Sequence, residues 1–325
     1  MFYKLRAIQL RNALIAEEAV TENTDKEILR INRYVAVNNS TLIGEEFNFD
    51  APTALMLQNV LRNQTFKRKP VSIDPHTPFF DIVTPVTGAS SNHFRELKAN
   101  IEHFSNNFPG IRMIFYDLGL HDSQANEVKK LHFVAFRKFN FDAYPPHVRN
   151  LHNYAWKPLI IQQVLAEFDG AMWFDTSVKF QANTTRVLQR MARSKSGILF
   201  YVGSTGHSIL AATNPSMLKY FPMNKADLES DMFQASAMII LNTADVQQHI
   251  MKWACICAFK QECIAPFGSR MHCPRSVKQQ RDKYAGCHRF DQALINILAK
   301  NLYNNEPEKY SFRYGKNLAV MHRTG

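Results

Sequence analysis

Apolar residues recur along this chain with two alternating periods. In Ser91 to Phe108, the residues Phe94, Leu97, Ile101, Phe104 and Phe108 follow at steps of three and four, a stripe on one helical face. Ser90 and Ser91 offer N-caps and Pro109-Gly110 stops the helix. Lys157 to Phe168 (KPLIIQQVLAEF) is a second helix, with Pro158 tolerated in its first turn, where no internal donor is needed. Between such segments stand short β-branched and aromatic runs of strand length: Pro78 to Val86, Ile111 to Asp117, His132 to Phe136, Ala171 to Asp175 and Ile198 to Val202. Strands alternating with helices of this length argue for parallel βαβ units buried on both faces. The pattern predicts an α/β, Rossmann-like architecture.

Residues 1–75 lack this alternation. They open with an amphipathic helical pattern (FYKLRAIQLRNALIAEEAV) and include the basic run Phe66-Lys67-Arg68-Lys69-Pro70, so they read as a partly helical lead-in or stem before a domain spanning 76–325. At 325 residues and 46% hydrophobic content the chain can bury one large core. It contains no apolar run of eighteen residues and no signal-peptide pattern.

The net charge of +11 and pI near 9.4 favour an anionic partner: a nucleotide phosphate, an acidic glycan, a membrane surface or a nucleic acid. Nucleic acid is disfavoured, because the cations are scattered and no RNA-binding aromatic motif, zinc finger or helix-turn-helix signature is present. All five cysteines, Cys255, Cys257, Cys263, Cys273 and Cys287, lie in one C-terminal segment. Their spacing with His272 and His288 does not give paired CxxC zinc ligands. In an oxidising lumen they would form two disulfides around the loop from Pro266 to Gly286, with one thiol over. Sequons at Asn38, Asn39, Asn63 and Asn183 are compatible with that compartment.

Candidate chemistry gathers where strands should end. The strand Ala171 to Phe174 delivers Asp175 to its carboxyl end, where open α/β sheets bind ligands. The run from Thr84 to His93 leads into the striped helix, whose N-terminus offers free N–H groups to an anion, although no G-x-G-x-x-G is present. Trp156 and Lys157 precede the helix that feeds the Asp175 strand, and Asp291 and Gln292 open an apolar helix. Each has a plain structural alternative: core for Trp156, surface for Lys157, a helix-dipole acid for Asp291. His322 follows an apolar stretch at the C-terminus.

Read in order, VTPVTGASSNHF, FYDLGL, NYAWKPLII, WFDTSVKF, SAMIILNT and HRFDQALINIL resemble a nematode-expanded family of uncharacterised glycosyltransferase-like proteins. More distantly, their layout over residues 78–325 resembles GT-A nucleotide-diphospho-sugar transferases. That resemblance implies a Rossmann-like GT-A fold with a mostly parallel central sheet flanked by helices, and a nucleotide-diphosphate sugar as donor. It also implies a divalent metal (Mn²⁺ or Mg²⁺), a glycan or glycoprotein acceptor, and residence in the secretory lumen, the Golgi in particular. Relatives of this kind carry an N-terminal membrane anchor; this sequence holds none, so membrane association would need an anchor absent from it.

By the same resemblance Asp175-Thr176-Ser177 matches the D-x-D element, with Ser177 where the second acid normally stands. Asp175, Ser177 and His322 become the metal positions, and Thr84, Ser90 and Ser91 the nucleotide-base contacts. Lys157, with Trp156 and Gln292, would face the donor and its phosphates. Asp291, then Asp231, are the candidates for acceptor contact or base, since an inverting transfer needs a carboxylate to deprotonate the acceptor. The leading expectation is therefore a metal-dependent glycosyltransferase. Ser177 motivates an alternative, a non-catalytic glycan- or protein-binding descendant; a cytosolic nucleotide-binding protein is a third reading.

Overall fold

The computed structural model describes residues 33–66, 70–74, 76–180, 186–312 and 319–321. In chain order its main elements are β1 (Arg33–Ala36), β2 (Asn39–Glu46), α1 (Ala51–Phe66), β3 (Val83–Ala89), α2 (Phe94–Asn107), β4 (Met113–Asp117), α3 (Asp122–Lys129) and β5 (Val134–Lys138). There follow α4 (Trp156–Leu165), β6 (Gly170–Phe174), β7 (Val178–Phe180), α5 (Val187–Ser194), β8 (Ile198–Ser208), β9 (Asp231–Leu241), α6 (Lys252–Phe259), α7 (Phe290–Leu302) and β10 (Ala319–Met321).

Six strands form the central sheet in the order β5-β4-β3-β6-β9-β8. The first four are parallel, and β9 runs antiparallel between β6 and β8. The expected mostly parallel sheet flanked by helices is therefore present. Side chains on a strand alternate between faces, and here the alternation sorts them into two cores. Ala171, Trp173, Phe200, Met238 and Ile240 join α4, α6 and α7 on one face. Met172, Phe174, Tyr201, Ile239 and Leu241 join α2 and α5 on the other. All five residues of β6 are buried, as a strand covered on both faces requires.

Three expectations need correction. Pro78 to Val86 is not one strand: Phe79–Ile82 forms a helical turn and β3 begins at Val83, because Phe79 and Ile82, three apart, turn to the same core. The strand read at His132 to Phe136 is shifted to β5 by the preceding turn. The eleven-residue β9 was not foreseen, since nothing local distinguishes an antiparallel insertion from another parallel strand. Residues 33–66 supply a hairpin and a helix whose Tyr34, Ala36, Phe47, Leu57 and Leu61 enter the main core, with Tyr34 edge-on to Phe221 and Trp253. The N-terminal amphipathic pattern, Lys67 to Lys69, Asn183 and His322 lie outside the described residues.

Two disulfides, Cys257–Cys263 and Cys273–Cys287, are formed and Cys255 is a buried free thiol. Such bridges persist in oxidising compartments and fit a secretory protein. No helix among the described residues is long and apolar enough to cross a membrane. Next to the second bridge, His288 is fully buried: its Nδ1 accepts from the Asn214 N–H at 3.0 Å and its Nε2 donates to the Ile264 carbonyl at 3.1 Å. Both ring nitrogens are thus satisfied in the neutral form.

Burial pushes the His288 imidazole down to about 4, against the hydrogen bond to Ile264. The unfolded chain takes up this proton below about pH 6.5 while the folded chain refuses it, so stability falls as pH drops from about 6.5 towards 4. Urea unfolding of His288→Gln should therefore show a pH 7 to 5 loss smaller than wild type by about 2 kcal/mol. Equal slopes would contradict a buried neutral imidazole.

Candidate functional site

Asp175 is the first residue beyond β6, at the carboxyl edge of the parallel strands. Its backbone N–H donates to the Ser236 carbonyl on β9 at 2.7 Å, and its carbonyl accepts from Val178 to close a tight turn into β7. The Trp173 indole N–H donates to Asp175 Oδ1 at 2.9 Å. Lys157 Nζ stands 3.1 Å from the same oxygen and 2.8 Å from Asp291 Oδ2. Thus α4, β6 and α7 each contribute one charge to a single cluster. Lys157 is only 4% exposed, and its ammonium lies within 6.0 Å of the rings of Tyr154, Trp156 and Trp173.

Burial alone would push the Lys157 ammonium down, but Asp175 and Asp291 overcome it and hold it above the ordinary lysine value. Burial is also the larger influence on Asp291 and pushes its carboxyl above the usual carboxylate range, while Lys157 pulls it down. Asp175 differs in access, its side chain being 36% exposed, and its Oδ2 has no hydrogen bond among the described residues. Two carboxylates and one ammonium leave one excess negative charge at the edge.

The backbone is strained on both sides of the cluster. Tyr154 (φ +52°) and Phe290 (φ +39°) adopt left-handed conformations that cost non-glycine residues of order 1–3 kcal/mol. Their rings meet at 5.6 Å, beside Lys157 and Asp291 respectively. Two buried polar groups nearby have no hydrogen-bond partner among the described residues, Gln292 Nε2 and Ser236 Oγ. Buried polar groups are normally satisfied, so orphans at a site suit a bound ligand.

The residues singled out from the sequence divide into three groups. Asp175, Lys157, Asp291 and Gln292 come together. Ser90 and Ser91 lie between β3 and α2, and the first turn of α2 meets the Asp175 turn, Thr176 Oγ1 donating to Glu96 at 3.1 Å. Ser177 is half-buried in that turn. Thr84 and Asp231 stand apart, and Trp156 backs the cluster from the core. Thr84 lies near the start of β3, opposite Ala171, and not in the loop after it. Trp156 is core: it is buried, and its N–H donates to the Leu151 carbonyl at 3.0 Å. Asp231 begins β9 five residues before Ser236, roughly 16 Å along a strand, and Arg281 neutralises it at 2.6 Å.

The expectation that Lys157 faces a phosphate meets an ammonium already enclosed by two carboxylates. The cation overlooked in the sequence is Arg289, half-buried at the start of α7, with only long contacts to the Met271 carbonyl (3.4 Å) and Gln292 Oε1 (3.5 Å). Its place immediately before Phe290-Asp291 was the available signal. Among the described residues no three His, Cys, Asp or Glu side chains form a ready metal centre.

Fold and site together define an open-sheet α/β protein with a lysine-clamped acidic cluster at the carboxyl edge of its strands. Residues 22–162 match the family described as "Protein of unknown function (DUF1647)", a match that includes Lys157 and ends before Asp175 and Asp291. No curated protein matches the chain. Among solved structures it is similar to the galactosyltransferase LgtC in complex with donor and acceptor sugar analogues. That similarity runs at 14% identity over 74% of this chain and 86% of that one, with a TM-score of 0.40. It is similar also to the mannosyltransferase Ktr4p from S. cerevisiae in complex with GDP (11% identity, 90% and 84% covered, TM-score 0.42). A third is the bifunctional glycosyltransferase WbbM (12% identity, 69% and 38% covered, TM-score 0.41).

Removing the ammonium leaves two carboxylates facing each other in a largely buried place. Lys157→Met should cost about 3–5 kcal/mol in urea unfolding, and adding Asp291→Asn should recover a substantial part of it. A double variant no more stable than the single one would show that the three charges are not coupled.

Proposed function

We propose that the protein is a glycosyltransferase, moving a sugar from a nucleoside-diphosphate donor to a glycan or glycoprotein acceptor in the secretory lumen, the Golgi being the compartment expected. One observation carries this reading: Asp175, Lys157 and Asp291 form one ion cluster just beyond the carboxyl end of β6, whose neighbour β3 leads into the Ser90-Ser91 loop. Open α/β sheets take their ligands in that crevice.

The cluster's excess negative charge would repel a diphosphate, which supports a divalent cation, Mn²⁺ or Mg²⁺, between the two. Asp175 through its open Oδ2 and Ser177 would hold it, with His322 the further ligand expected from the sequence. Bound there, it would neutralise the charge that grows on the leaving diphosphate in an oxocarbenium-like transition state. Arg289 adds a second positive charge, and the orphaned Gln292 amide supplies a donor for a phosphate or sugar oxygen. Asp291, with its carboxyl held above the ordinary range by burial, suits the removal of a proton from an acceptor hydroxyl. Lys157 positions both carboxylates and touches neither substrate.

Ser177 favours a second reading, a non-catalytic module that binds glycans or proteins, because a hydroxyl is a poorer metal ligand than a carboxylate. A thermal-shift screen of nucleotide-diphosphate sugars with and without Mn²⁺ separates the two, since a ligand selective for the folded chain raises its melting temperature. The transferase reading expects one donor to stabilise the protein in a Mn²⁺-dependent way. It also expects Asp175→Asn to lower donor turnover by about 100-fold or more when assayed well below the variant's melting temperature, which the loss of one Lys157 partner lowers. A panel with neither shift nor turnover would leave the binding module.

A further inference from the structure

The segment from Pro266 to Arg289 concentrates the chain's charge. It carries Arg270, Arg275, Lys278, Arg281, Lys283 and Arg289 against one acid, Asp282, a surplus of five within a chain whose net charge is +11. Cys273–Cys287 closes the segment and Cys257–Cys263 braces the turn before it. Arg281 is paired with Asp231. Arg270, Arg275, Lys278 and Lys283 are exposed, and no described carboxylate forms an ion pair with them. The even scatter of cations expected from the sequence therefore does not hold in this segment. Lys278 lies across Gly206, where an added Cβ would stand 3.4 Å from its Nζ. Lys278, Arg281 and Arg289 all act on His207, whose imidazole burial already pushes down.

The segment also presents one ring to solvent. Phe267 is fully exposed at the tip of a turn in which the Ser269 N–H donates to the Pro266 carbonyl at 3.0 Å. Gly268 follows it at φ +79°, the left-handed third position of a type II turn. The other large exposed apolar side chains, Val35, Val37, Ile43 and Leu55, belong to the β1–β2 hairpin and α1. One isolated ring is little apolar area for entering a bilayer, but it suits stacking on the face of a sugar.

The loop borders the acidic cluster. The Tyr154 hydroxyl donates to Met271 Sδ at 3.0 Å, Arg289 donates to the Met271 carbonyl, and the chain runs from Arg289 directly into Asp291. A molecule held on the loop and reaching Arg289 would meet the same edge as the proposed donor.

Resting on the transferase reading above, we infer that this disulfide-braced basic loop binds the acceptor and that the acceptor is an anionic glycan bearing sulfate or carboxylate groups, with Phe267 stacked on one of its sugar rings. Arginine forks and lysine ammonium groups match such oxyanions. Because the cations are exposed, the attraction weakens with salt.

The test is calorimetric binding of a chondroitin sulfate hexasaccharide to the full chain, with cellohexaose as the neutral counterpart. The sulfated probe should bind in a salt-dependent manner and the neutral one at least about ten-fold more weakly. Arg275→Ser/Lys278→Ser/Lys283→Ser should weaken the sulfated probe by about ten-fold, the combined loss of three exposed charge contacts. Phe267→Ser should weaken it further, whereas Lys130→Ser/Lys138→Ser/Lys219→Ser, an equal change of charge elsewhere, should leave it unchanged. Equal binding of the two probes, or equal loss in both triple variants, overturns the inference. So does tighter loop-dependent binding of phosphatidylserine vesicles or duplex DNA. The donor-induced melting shift is read separately on wild type and the loop variant. Its absence from wild type removes the transferase reading, while loop-dependent binding of the sulfated probe still supports an anionic-glycan surface.

Discussion

Taking the Lys157 ammonium out of water costs several kcal/mol, and the fold tolerates it only because Asp175 and Asp291 both stand within ion-pair distance. That requirement ties three elements together: the first turn of α4, the end of β6 and the first turn of α7 must meet at one point. Trp173 adds a fourth tie, since its ring belongs to the core on the α4 and α7 face while its N–H holds Asp175. The left-handed Tyr154 and Phe290, in ring contact beside the cluster, show that the surrounding packing is strong enough to hold two unfavourable backbone conformations there.

Charge at this edge is layered. Inside, two carboxylates outnumber one ammonium; at the rim, Arg289 and the basic loop reverse the sign. On the proposed reading, a negative substrate would be attracted over a distance by the basic loop and meet carboxylates at close range. The disulfides serve this arrangement. By closing the loop at Cys273–Cys287 they hold its cations beside the α7 terminus, and His288, neutral and bonded on both nitrogens, anchors the join to Asn214 and Ile264.

The stripe of α2, the apolar run of β6 and the strand-helix alternation were legible in the sequence because each is a local pattern set by the period of one element. Asp175 at a strand end and the Asp291-Gln292 pair opening a helix were legible for the same reason. Thr84 was misplaced because Phe79 and Ile82 share a face only when Phe79–Ile82 turns as a helix, which moves the start of β3 and leaves Thr84 below the edge. Trp156 could be core or ligand-facing on sequence alone; its ring is buried, bonded to the Leu151 carbonyl, and lies 6.0 Å from the Lys157 ammonium.

By itself, then, the sequence determined the layers, the candidate acids and the clustering of cysteines, since periodicity and residue type are properties of neighbours in the chain. The tertiary structure alone decided that β9 inserts antiparallel beside β6, that Lys157 meets carboxylates, that Asp231 pairs with Arg281, and that Met271 of the basic loop meets Tyr154 and Arg289. Each of those outcomes depends on which distant segments come into contact, and a side chain's charge partner is fixed by that contact and not by its neighbours in sequence.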